Sequence, residues 1–384
     1  MPSNSRSVPV RFDALDSLRG LCACLVAVCH FWTLSPTTTS LFVRNSFLFV
    51  DFFFVLSGFV IAWNYEHKLT SWRATRDFLL LRLGRLYPLH LFTLGILVGL
   101  SVLQFLRYPQ LLPGATYGEA RSLGAIVSNL LLIQGMHVHG GLTWNEPAWS
   151  ISVEVWAYVT FASCCVLFGM RNWVISCTVC CLTLVLILFT DNGIGATHDF
   201  GFLRCLLGFC FGVLSFHAYR EPGSPIALVS NRRATIIEAV VTLVVVTFVC
   251  VGANGILSFM APPVFAVTVY VFAAEKGRVS ALLRLQFFTW LGCLSYSIYM
   301  MHWIVIDLFW IALNYIRGHW GVNLWGTVIY QGNSIQAYGR DPFEGIGFLV
   351  AMLTITVALS AATYRYIETP GREWSRTFVR SKSA

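Results

Sequence analysis

The chain has 384 residues, 57% of them hydrophobic and 11% charged, and a formal net charge of +8. Soluble domains carry about a quarter charged residues, and a mean hydropathy of +0.69 cannot be hidden inside one water-soluble core. These figures exclude a soluble enzyme, a nucleic-acid binder and a disordered chain, and leave an all-α polytopic membrane bundle.

In chain order, apolar runs predict ten transmembrane helices: Leu18–Leu34, Ser46–Trp63, Leu86–Leu106, Ala148–Gly169, Trp173–Thr190, Gly201–Tyr219, Ile236–Gly252, Leu257–Ala274, Phe287–Leu313 and Gly345–Ile367. An eleventh run, Leu123–Met136, is short and carries Ser128, Asn129 and Gln134. It reads as a re-entrant or interfacial segment. The basic residues agree with ten spans. Lys68, Arg73, Arg76, Arg82 and Arg85, the groups at 220–233, 276–284 and 365–382, and Arg6, Arg11 and Arg19 then all fall on one side. The positive-inside rule places that side, and both termini, in the cytoplasm.

The polar first 17 residues predict no cleavable signal. With no internal repeat, the chain reads as a single membrane domain over 1–384, with a core at 15–373 and a short basic tail at 374–384. The twelve cysteines lie in apolar runs, where they pack as small hydrophobes. His137 and His139 flank a Gly-rich loop and read as surface residues, so no metal site is predicted. The segment Asn314–Glu344 is polar and aromatic, and is expected to lie outside the membrane.

Ionisable groups inside a bilayer are costly and need a reason. His30 follows Arg19 by eleven residues, about 16 Å along a helix. Glu154 lies five residues after Trp149, about 8 Å below the outer boundary. Asp51 lies near the outer end of its span, and His302 about 22 Å into one that begins inside. Four such residues from four helices at a shared depth predict one lined cavity. Separately, Arg82 and Arg85 share a helix face, and Arg73 and Arg76 repeat the spacing. A planar guanidinium fork suits phosphate.

These residues fall in recognisable motifs. Leu15-Asp16-Ser17-Leu18-Arg19-Gly20, followed by ten residues and His30, resembles the Arg-x10-His signature of membrane acyltransferase family 3, the O-antigen acetylase-like proteins. Val50-Asp51-Phe52-Phe53-Phe54-Val55-Leu56-Ser57-Gly58-Phe59 is similar to the family's second-span motif, and Trp149-Ser150-Ile151-Ser152-Val153-Glu154 to its Trp-Ser-x-x-x-Glu element. Arg82-Leu83-Gly84-Arg85-Leu86-Tyr87-Pro88 resembles its basic loop, with one arginine replaced at Leu83 or Gly84. The stretches Leu294–His302 and Tyr366–Pro370 match its late motifs.

The resemblance implies a stand-alone O-acyltransferase of the bacterial inner membrane. It would move an acyl group, usually acetyl, from acyl-CoA to a hydroxyl of a glycan or glycolipid such as lipopolysaccharide or exopolysaccharide. Acyl-CoA is then a co-substrate rather than a resident cofactor, and the partners are that donor, the hydroxyl-bearing acceptor and membrane lipids, with no nucleic acid. Small-molecule acceptors such as macrolides are the alternative within the family, and a transporter or flippase the alternative outside it. In this reading Arg73, Arg76, Arg82 and Arg85 hold the donor phosphates and Arg19 touches the donor or fixes its helix. His30 is the general base, with Glu154 orienting the imidazole as carboxylates do in catalytic triads. A covalent acyl-histidine is the alternative. Asp51, Ser57, Trp149, Tyr299 and His302 line the cavity.

Overall fold

The structure, a computed structural model, describes residues 11–107, 115–169, 172–188, 193–253 and 255–381. Arg6, the end of the Trp173–Thr190 run and the last three tail residues lie outside the described residues. The main elements are α1 (Asp13–His30), α2 (Phe49–Tyr65), α3 (Trp72–Arg107), α4 (Leu123–Leu130), α5 (Trp149–Phe168), α6 (Asn172–Leu188), α7 (Gly201–Arg220), α8 (Asn231–Val251), α9 (Ala261–Phe272), α10 (Gln286–Trp320), the strands β1 (Trp325–Tyr330) and β2 (Asn333–Tyr338), α11 (Pro342–Thr363) and α12 (Thr369–Ser381). Eight helical segments among the described residues are long and apolar enough to cross a membrane. The two other expected spans fall on α1, which carries Asp13, Asp16 and Arg19, and on the shorter apolar helix Val174–Leu186. All ten apolar runs therefore have a helix, in an all-α bundle.

Close backbone contact sets the packing. A Cβ at Gly20 would stand 2.6 Å from the Gly292 nitrogen, and one at Gly292 would stand 2.5 Å from the Asp16 carbonyl oxygen, so α1 lies against α10 with nothing between them. Gly58 and Gly212 do the same for α2 and α7, where an added Cβ would fall 2.0 Å from the Phe209 and Val55 carbonyl oxygens. Small residues at such crossings are what membrane helices use in place of hydrophobic exclusion.

Several boundaries differ from the sequence reading: α3 begins at Trp72 rather than Leu86 and α10 runs on to Trp320 rather than ending at Leu313, and the ends of α1 and α11 differ as well. Helix α1 begins at Asp13, five residues earlier, because Asp13 and Asp16 occupy its first turn, where acidic groups favour the helix N-terminus. It ends at His30, which therefore caps the helix about 26 Å from its start. The next residues turn extended and join a hairpin: Leu34 N–H donates to the Tyr338 carbonyl at 2.9 Å and Tyr338 N–H to the Trp32 carbonyl at 2.8 Å. That antiparallel hairpin, with Gln331 and Gly332 both at positive φ in its turn, lies within the segment Asn314–Glu344, between the end of α10 at Trp320 and the start of α11 at Pro342. Finally, α11 runs through a π-helical stretch, Tyr364–Glu368, into α12. Pro370 has no N–H for the Tyr366 carbonyl, and the helix widens just before it.

The run Leu123–Met136 contains α4, whose eight residues reach about 12 Å, well short of the roughly 30 Å core. The chain then folds back. The Leu132 carbonyl accepts from Ser152 Oγ at 2.7 Å, and Gln134 Nε2 donates to the Ala148 carbonyl at 3.2 Å. Labelling of Arg107→Cys and His137→Cys, in a background cleared of native cysteines, is therefore expected from the same face of the membrane. Labelling from opposite faces would make the segment a span.

Candidate active site

Two adjoining chambers and a vestibule lie within the bundle. The first chamber is walled by Arg19 of α1, Ser57 of α2, Arg82 and Arg85 of α3, Glu154 and Tyr158 of α5, and Tyr299 of α10. Glu154 Oε1 accepts hydrogen bonds from Ser57 Oγ at 2.6 Å and Tyr158 Oη at 2.5 Å. Tyr158 is placed by helical spacing, one turn after Glu154.

At the basic end of the bundle this chamber shares Arg19, Arg82 and Arg85 with a wide vestibule of about 1,400 Å³, open to solvent, to which Arg11, Arg372 and Arg376 also contribute. Asp16 is the one acidic group in that wall. Arg19 is committed: it pairs with Asp16 at 3.0 Å and donates to Ser295 Oγ at 2.7 Å. Arg372 pairs with the buried Glu368 at 2.7 Å, and Glu368 accepts from Ser297 Oγ at 3.0 Å. Arg82 lies over the Tyr65 ring at 5.0 Å. The Nε atoms of Arg82 and Arg85 are buried without a hydrogen-bond partner. These four guanidinium groups thus surround one space, two of them held in ion pairs.

Arg73 and Arg76 do not join it. Both are exposed, and Arg76 pairs with Asp77 at 2.8 Å. The nine-residue offsets from Arg73 to Arg82 and from Arg76 to Arg85 amount to about two and a half helical turns, which puts them on the opposite face of α3. Arg372 and Arg376 of α12 stand where they were expected to be. These two are spaced as an i, i+4 pair on an amphipathic helix, a signal present in what had read only as a basic tail.

The second chamber, about 550 Å³, holds His30, Trp149, Arg204 and Glu146 and meets the first at Val50 and Tyr299. The single expected cavity is thus two, with Tyr299 in the shared wall. Its hydroxyl is 2.8 Å from Ser150 Oγ and 3.1 Å from the Pro147 carbonyl. His30 Nδ1 lies 2.9 Å from the Val26 carbonyl oxygen. A carbonyl only accepts, so Nδ1 carries the proton and Nε2 of the neutral ring keeps its lone pair. The group that orients His30 is therefore a carbonyl of its own helix. Glu154, expected in that role, bonds to Ser57 and Tyr158 in the other chamber. The His302 ring lies 5.2 Å from His30, fully buried, with Nε2 unpartnered. Over these chambers the hairpin packs Tyr338 on Phe31 at 4.3 Å. Burial pushes the Tyr338 phenol above its usual range, so it stays a neutral donor, to the Ile306 carbonyl at 3.3 Å.

Asp51 does not line a chamber. It is wholly buried and binds Arg204 through both oxygens, at 2.9 and 2.7 Å. The cation lies within an apolar run, and a carboxylate is what makes its burial tolerable. Arg204 in turn sits 5.6 Å from the Trp149 ring, which explains why Trp149 faces the second chamber.

A family model described as an acyltransferase domain matches residues 12–365. The chain belongs to this acyltransferase family. It is 32% identical to acyltransferase MdmB of Streptomyces mycarofaciens over 40% of the chain and 38% of that relative, and 32% identical to protein 2 in the picA locus of Rhizobium radiobacter over 41% of the chain and 84% of that relative. The matched part thus spans well under half of the first relative's length. No solved structure matches the chain.

The pairing of Asp51 with Arg204 makes a specific expectation. Asp51→Ala leaves a buried guanidinium uncompensated, a loss of about 3–5 kcal/mol, and should lower the thermal unfolding midpoint markedly. The double replacement Asp51→Leu/Arg204→Met should recover much of it. A stable Asp51→Ala protein that had lost only turnover would place Asp51 in the chemistry instead.

Proposed function

We propose that the protein is a membrane O-acyltransferase that moves an acyl group, acetyl being the simplest, from acyl-CoA to a hydroxyl of a glycan or glycolipid. Family membership supports acyl transfer, and the arginine-walled vestibule supports a donor that carries several phosphates. Acyl-CoA docks with its phosphates against Arg82 and Arg85, aided by Arg372 and Arg376. Its narrow pantetheine arm passes Ser57, Glu154 and Tyr158 and brings the thioester to Tyr299. The basic end is the cytoplasmic face in this reading, which agrees with the positive-inside rule and with both termini in the cytoplasm of a bacterial inner membrane.

The observation that carries the reading is the tautomer of His30 beside the junction of the chambers. The acceptor hydroxyl donates its proton to His30 Nε2 as its oxygen attacks the thioester carbon. The tetrahedral intermediate collapses, the carbon–sulfur bond breaks, and the imidazolium returns the proton to the CoA sulfur. His302, buried and close by, keeps the base from turning and excludes water. Smaller hydroxylated acceptors fit the same chemistry, and the match to acyltransferase MdmB favours keeping them in view.

Two variants test the division of labour. His30→Ala should lower turnover by about 10²–10⁴-fold while CoA affinity by calorimetry stays at the wild-type value. Arg82→Ala/Arg85→Ala should weaken CoA binding by at least about tenfold, since charge-assisted phosphate contacts contribute roughly 1.5–3 kcal/mol each. His30→Ala protein with more than a tenth of wild-type turnover would remove the base assignment. Unchanged CoA affinity in the arginine variant would assign those residues to membrane topology alone.

A further inference from the structure

A third chamber adjoins the second one and shares Leu142 and Glu146 with it as wall residues. It lies toward the end of the bundle opposite the vestibule, since Asp307 is 21 residues along α10 from Gln286, about 32 Å of helix. Trp303, Asp307 and Trp310 line it from α10, and their i, i+4, i+7 spacing puts them on one helical face. Trp144 closes the other side, with φ at +46°, a conformation that bulky residues rarely adopt. Arg121 is ion-paired with Asp307 and lies 5.9 Å from the Trp144 ring. Trp303 stands edge-on to His30 at 5.7 Å.

Glu146 differs from the other polar groups. It borders both the second and the third chamber, and its carboxyl makes no hydrogen bond or ion pair among the described residues. Indole planes beside carboxylates suit one ligand chemistry in particular. A sugar ring has apolar C–H faces that lie on aromatic planes and a rim of hydroxyls that need acceptors. An alkyl chain would leave Glu146, Asp307 and Arg121 facing hydrocarbon, at a desolvation cost with no return.

We propose that the Trp144–Trp303–Trp310 chamber is a subsite for one sugar ring of the acceptor, and that Glu146 is the residue that sets which rings enter it. The inference rests on the acyl-transfer reading and adds the place and the selectivity. Glu146 accepts a hydrogen bond from a hydroxyl or an ammonium substituent and so turns the ring's free hydroxyl toward His30. A ring bearing a carboxylate is refused. It would lie beside the unpaired Glu146 carboxyl, while Arg121 and Asp307 already neutralise each other.

The test is binding without donor, in protein reconstituted in nanodiscs, to three probes that share a ring: methyl glucoside, methyl glucosaminide and methyl glucuronide. The first two should bind saturably and the third at least about tenfold more weakly, the penalty of one unfavourable charge contact. Glu146→Gln, an isosteric change, should close most of that gap, and Trp310→Ala should weaken the two good ligands. Glucuronide binding as tight as glucoside, a gap unchanged in Glu146→Gln, or no saturable binding of any probe would overturn the proposal. CoA binding at the far end is measured in the same samples. Loss of acyl transfer in wild-type protein that still binds the sugars would count against the catalytic reading and leave the subsite standing.

Discussion

The contact on which the rest depends is the meeting of two backbones at Gly20 and Gly292. No side chain separates α1 from α10 there, so the registers of the two helices are locked to within a fraction of an ångström. Arg19, the next residue on α1, is thereby delivered to Ser295. Further up the same pair of helices, His30 is delivered to the side of His302 and Trp303. Either glycine could carry a methyl group only by driving the helices apart, and the polar residues above and below would separate with them. The glycine contacts between α2 and α7 play the same part for Asp51 and Arg204, whose buried charges need two hydrogen bonds of good geometry to be tolerated.

Held in this way, the bundle divides its polar residues by kind. Guanidinium groups collect at one end around a space that opens to solvent, with the Nε atoms of Arg82 and Arg85 left without hydrogen-bond partners. Neutral imidazoles lie further in, one of them with its proton fixed on the nitrogen that faces its own helix. Aromatic rings and carboxyl groups gather toward the opposite end. This sequence of guanidinium, imidazole and aromatic walls follows the order that the proposed reaction would need if acyl donor and hydroxyl acceptor arrive from opposite faces. Tyr299 stands where the two routes meet, tied to Ser150 and Pro147.

Much of this was legible in the sequence, and for definable reasons. Apolar run length located every long apolar helix, because a membrane leaves the backbone no alternative, and missed the amphipathic α12. It misplaced the start of α1, since a first turn holding Asp13 and Asp16 is polar yet helical. His30 and His302 were expected to face one space and their rings do lie together, but position along a helix does not give azimuth, so one expected cavity became two and Glu154 acquired Ser57 and Tyr158 as partners. Arg73 and Arg76 repeated a favourable spacing on the wrong face of α3, an error that counting round the helix would have caught. Arg204 was the clearest missed signal: a lone cation in an apolar run requires a carboxylate, and Asp51 was the available one. Glu146, Asp307 and the tryptophans around them come from separate segments, and only the folded chain brings them together.

The central claim is that donor and acceptor reach the His30 junction from opposite faces of the membrane. Uniformly oriented proteoliposomes test it most directly, with acyl-CoA confined to one side, a hydroxyl-bearing glycan acceptor to the other, and acylated product measured. The account predicts product only when acyl-CoA is on the face that carries the arginine vestibule and the acceptor is on the opposite face. Equal product with donor and acceptor confined together on either single face would contradict it.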